Sequence, residues 1–85
     1  MKLIVVVEEA FTARGPGALV RPTIDADRVP SAAFDVAVRT PDGAERRTRA
    51  VLEVPHVRGP HAPKGWLRLA DLAPEDLPAG TEIWG

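Results

Sequence analysis

The sequence predicts an all-β fold, a single small barrel of six short strands. Three observations carry that expectation. Strand-like segments, β-branched or alternating apolar with polar, recur along the chain between Gly, Pro and Asp turn signals. No stretch of useful length shows the apolar period of an amphipathic helix. The 85 residues hold 38 apolar side chains, 13 of them alanine, enough for one compact core and too few for a second domain.

Each element follows from its residues. Lys2 to Thr12 opens with β-branched side chains and reads as a long strand. The adjacent acids Glu8 and Glu9 break its period of two, so a bulge or twist is expected there that re-aims the chain. Ala13 to Gly17, with two glycines and a proline, is turn chemistry. Ala18 to Ile24 is a second strand in which Pro22 forces an edge position or a lost pairing. Asp25 to Ala32 is a connecting loop.

A clean alternation follows: Phe34, Val36 and Val38 on one face, Asp35, Ala37 and Arg39 on the other, the pattern of a half-buried antiparallel strand. Thr40-Pro41-Asp42-Gly43 supplies a proline for φ near −65° and a glycine for positive φ, so a tight hairpin is expected. From Ala44 to Val54 the alternation resumes, with Thr48, Ala50, Leu52 and Val54 inward and Arg47, Arg49, Val51 and Glu53 outward. Residues 55 to 65 hold three prolines, two glycines and both histidines and read as a long, stiff loop. Trp66 to Ala70 is a short strand with Leu67 and Leu69 inward. Asp71 to Leu77, with Pro74 at a first helical position and acids behind it, predicts one helical turn. Thr81 to Trp84 closes as the last strand.

Composition narrows the chemistry. Cys is absent, which excludes disulfides, thiolate metal sites and Cys nucleophiles. Tyr, Asn and Gln are absent too and Ser31 is the only serine, so an active site is hard to assemble and no catalytic residue or cofactor is expected. The longest apolar run, Leu3 to Val7, is far below the ~20 residues that span a bilayer. With no signal-peptide pattern, the expectation is a soluble, cytoplasmic protein without a membrane partner. Abundant Ala, Arg, Pro and Gly beside two lysines suggest a GC-rich, bacterial coding sequence. The net charge of −1 is unevenly spread: residues 1 to 38 sum to −1, residues 39 to 68 to +4 and residues 69 to 85 to −4.

Two segments resemble a known family. Val7 to Ile24 (VEEAFTARGPGALVRPTI) is similar to the opening of the second, β-barrel domain of elongation factor Tu and related translational GTPases, with Glu8, Glu9, Ala10, Phe11, Gly15, Gly17, Leu19, Val20 and Ile24 in register. Leu72 to Trp84 (LAPEDLPAGTEIW) resembles that domain's closing segment, so the likeness covers nearly the whole chain. It implies a six-stranded antiparallel Greek-key barrel standing alone, because there is no G-x-x-x-x-G-K-[ST] phosphate loop and hence no GTPase domain. Pro16 replaces the family's usual Arg, Pro22 its glycine after the two aliphatics, and Ser31-Ala32 its Gly-Asp pair. No contact to nucleotide or to the aminoacyl end of transfer RNA is carried over.

A binding role remains. Arg46, Arg47 and Arg49 carry the densest positive charge, with Arg47 and Arg49 on one outward face and Arg14, Arg58, Lys64 and Arg68 able to enlarge it. Trp66 could stack on a base, and Trp84 could plug the barrel or anchor an interface. Arg47, Arg49, Trp66, Arg68 and Trp84 are therefore the candidate partner-binding residues. A protein partner is the leading expectation, RNA or the ribosome the alternative, and self-association through an uncovered edge strand a third route. His56 and His61 lack further ligands at zinc-site spacing, and Pro60 to Pro63 has the form of a polyproline ligand. The carboxylate groupings at Glu8 with Glu9 and at Asp71, Glu75 and Asp76 read as opposite strand faces and a helix start.

Overall fold

A computed structural model describes residues 1 to 54 and 64 to 85 of the protein. The fold is all-β, as expected. Its strands are β1 (Leu3–Val6), β2 (Glu9–Phe11), β3 (Ala18–Asp25), β4 (Ala33–Arg39), β5 (Glu45–Glu53), β6 (Lys64–Leu69) and β7 (Glu82–Trp84), with single 3₁₀ turns at Ala26–Arg28 and Pro74–Asp76. Among the described residues seven strands replace the expected six because the first is broken at the acidic pair. Val7 N–H donates to Thr81 O at 2.7 Å, whereas Glu8 N–H donates to Arg21 O at 2.8 Å. Successive amides of an extended chain point to opposite sides, so between these residues the chain leaves β7 and joins β3.

That switch shapes the molecule. All pairings are antiparallel, in the order β1-β7-β4-β5-β6-β3-β2, so the two ends of the sheet are halves of one continuous segment and the sheet curls into a barrel. Within it, β3 lies beside β6 while β4, β5 and β6 follow in sequence, which is the Greek-key arrangement. Pro22 acts as its chemistry requires: the β3–β6 register slips between Val20 and Ile24.

The interior is aliphatic, with Phe34, Val36 and Val38 of β4 facing Leu67 and Leu69 of β6 in one cluster. Leu72 and Leu77 flank the second 3₁₀ turn and are both buried, closing one end of the cluster. Asp76 accepts the Ala73 N–H at 2.9 Å, so the acid behind Pro74 serves as the cap of that turn. Two readings need correction. Val54 is 40% exposed rather than inward, because β5 ends at Glu53. Ala37, on the outward face, is nonetheless buried, because its register partners on either side are Trp84 and Arg47. The expected loop at 55 to 65 gives its last two residues to β6, and positions 55 to 63, with His56, His61, Arg58 and the Pro60 to Pro63 motif, lie outside the described residues. Among the described residues no helix is long and apolar enough to cross a membrane.

The β4–β5 hairpin closes as its sequence dictates. Gly43 has φ of 91° and donates its N–H to Thr40 O at 2.9 Å. The Thr40 hydroxyl donates to Asp42 Oδ1, and the same oxygen accepts the Ala44 N–H at 3.1 Å. These bonds, the hydroxyl first, hold the Asp42 carboxyl below its ordinary value of 3.8. A depressed folded value means that the support is complete above about 3.8 and is lost as pH falls through the lower folded value. Ala44 amide protection, followed by hydrogen exchange against pH, is expected to drop on that acid limb in the wild type and to stay flat in Asp42→Asn.

Candidate functional site

The outward residues of β4, β5 and β7 meet on one face. Ala37 lies in register with Trp84 on one side and Arg47 on the other, and Arg39 in the same way with Glu82 and Glu45. Asp35 lies opposite Arg49. Strand spacing places Trp84 and Arg47, two strands apart, roughly 10 Å from each other. Three of the five candidate residues, Arg47, Arg49 and Trp84, thus share a surface, although Trp84 is 35 or more positions away in sequence.

The charges on this face differ in how they are engaged. Arg39 bonds Glu45 at 3.1 Å and places its guanidinium 6.0 Å from the Trp84 ring centroid. The Trp84 indole N–H donates to Glu82 at 3.0 Å, so the ring lies partly buried with its polar edge tied down. Arg47 and Arg49 are exposed and make no ion pair within 4.0 Å among the described residues. Side chains without such pairs keep their rotamer freedom and are open to a partner's carboxylates. Arg46 has the opposite strand parity. It lines a depression of about 430 Å³ under the hairpin, together with Asp42, Glu75 and Asp76.

Trp66 and Arg68 stand elsewhere, on β6. Trp66 packs edge-on against Phe11, with ring centroids 5.5 Å apart, and Arg21 covers both rings at 5.5 and 5.6 Å. Glu9 stands 3.9 Å from Arg21. Arg68 must be withdrawn from the docking surface, because it is only 6% exposed. Its guanidinium grips Glu53 through two bonds of 2.6 and 3.1 Å and donates to Pro16 O at 2.7 Å and Arg14 O at 2.8 Å. It is a clamp that holds the 13–17 turn down on the barrel wall.

Three participants were missed. Arg39 was visible as an outward residue, but its place beside Trp84 depends on β4 pairing with β7 across more than 40 positions. Arg21 and Phe11 meet Trp66 only because β3 separates β2 from β6. No protein-family model, curated protein or solved structure matches this chain.

Proposed function

We propose that this chain is a non-catalytic binding module, an adaptor that docks a protein partner on the arginine-bearing face of β4, β5 and β7. The observation that carries the reading is the pair Arg47 and Arg49, both exposed, on one face, beside a partly buried tryptophan, and free of ion pairs among the described residues. The partner presents carboxylates to these two guanidinium groups, which take them in bidentate fashion. The residue inventory supports a role without chemistry, since Cys, Asn, Gln and Tyr are absent. The resemblance to the barrel domain of elongation factor Tu supports it as well, because in that family the barrel is a binding part and the chemistry lies in another domain.

A protein partner is favoured over RNA by the acids on the same face. Asp35 lies opposite Arg49, and Arg39 lies between Glu45 and Glu82. A mixed-sign surface suits a partner that can answer both signs, whereas a run of phosphates meets repulsion from these acids. Trp84 has its indole N–H tied to Glu82 and Arg39 set over its ring, so it offers a base less stacking surface than an open tryptophan.

Capture from lysate with the immobilised full chain, with and without nuclease, tests the reading. A protein retained after nuclease treatment and lost with the Arg47→Ala/Arg49→Ala double variant is the expected result. Each arginine removed from a charge-assisted contact costs about 1.5–3 kcal/mol, so the double variant should bind at least about 100-fold more weakly. Retention that disappears with nuclease assigns the face to RNA, and retention indifferent to both arginines removes it as the site.

A further inference from the structure

The hairpin leaves part of one strand edge open. β5 pairs with β4 along its length, from Glu45 to Val51, but with β6 only from Ala50 to Glu53. On β5 the even-numbered residues bond towards β4, as Leu52 N–H to Ala32 O and Ala44 O from Thr40 N–H demonstrate. By strand alternation Glu45 and Arg47 therefore turn their N–H and C=O groups to the opposite side, where no strand lies among the described residues. An unpaired edge of this kind is a template for one more strand.

We propose that the partner docks by adding an extended segment to this edge of β5, and that the segment alternates acidic and basic side chains. The inference rests on the binding role proposed above and specifies its mode. The charges on the two sides of the edge define the occupant. Of the two outward residues on the open edge, Glu45 is already paired with Arg39, while Arg47 makes no ion pair among the described residues. The added residue that stands outward beside Arg47, with Arg49 next along the strand, is therefore acidic. Added residues that point inward enter the 430 Å³ depression, where Asp42, Glu75 and Asp76 outnumber Arg46, and are basic.

The test uses the ¹⁵N-labelled full chain and two probes, an eight-residue peptide alternating Glu and Lys and the same peptide methylated at every backbone nitrogen. Methylation keeps the charges and removes the ladder donors. The expected result is protection of the Glu45 and Arg47 amides by the first peptide and about tenfold or more weaker binding of the second, the cost of one or two lost hydrogen bonds. Equal binding of the two, or binding of neither, overturns strand addition. The arginine-face reading falls only if the lysate capture also ignores the Arg47→Ala/Arg49→Ala change, so the two failures are distinguishable.

Discussion

Gly17→Val is expected to destabilise the fold by about 3 kcal/mol or more. Gly17 has φ of 73°, in the left-handed region, and lies where the turn after β2 runs onto the β3–β6 ladder. A Cβ at this position would fall on the carbonyl oxygen of Leu69 and 2.6 Å from Ala70 Cα. Both obstacles are backbone, so neither moves aside as a side chain does. Left-handed backbone costs a β-branched residue about 1–2 kcal/mol and forced overpacking about 1–3 kcal/mol more. A loss of about 3 kcal/mol or more is a large share of the stability of a small domain and lowers its melting midpoint by about 12 °C or more. Thermal unfolding followed by circular dichroism measures this directly. An unchanged midpoint would contradict the placement of Gly17 against β6.

The second large effect belongs to Arg68. Arg68→Met is expected to cost about 2–3 kcal/mol, somewhat below the ~3–5 kcal/mol of breaking a fully buried pair, because the Glu53 side chain remains 45% exposed. The methionine keeps the packing against Leu19 and Val51, the register neighbours of Arg68, and removes only the polar clamp. Arg68→Lys should recover little, since an ammonium cannot grip Glu53 with two bonds and reach Pro16 O and Arg14 O as well. Both variants should expose the 13–17 turn to proteolysis, and both should leave partner capture intact. Lost capture in a folded Arg68→Met protein would return this arginine to the docking surface.

How far each feature was legible depended on how local its cause is. The β4–β5 hairpin follows from a period of two and a Thr-Pro-Asp-Gly turn, all within 22 residues, and its inward and outward sides came through except at Val54, which is exposed, and Ala37, which is buried. The redirection at Glu8 and Glu9 was equally local. Arg46 shows a subtler lesson: grouped by sequence with Arg47 and Arg49, it is separated from them by strand parity and points under the hairpin. What sequence could not supply came from pairing between distant segments. Arg68 alternates outward like a solvated arginine, and only the turn at 13–17, more than 50 positions earlier, roofs it over. The company of Trp84 with Arg39 and Arg47 likewise exists only once β7 pairs with β4.

The two tryptophans provide the most direct test of where this module binds. Their indole N–H signals report separately on the two exposed regions, Trp84 on the arginine face and Trp66 on the Phe11–Arg21 cluster. Titration of the ¹⁵N-labelled chain with the captured partner is expected to move the Trp84 indole together with the amides of Arg39, Glu45, Arg47 and Arg49, while the Trp66 indole stays in place. Movement of Trp66 and Arg21 with the arginine face silent would contradict docking on that face.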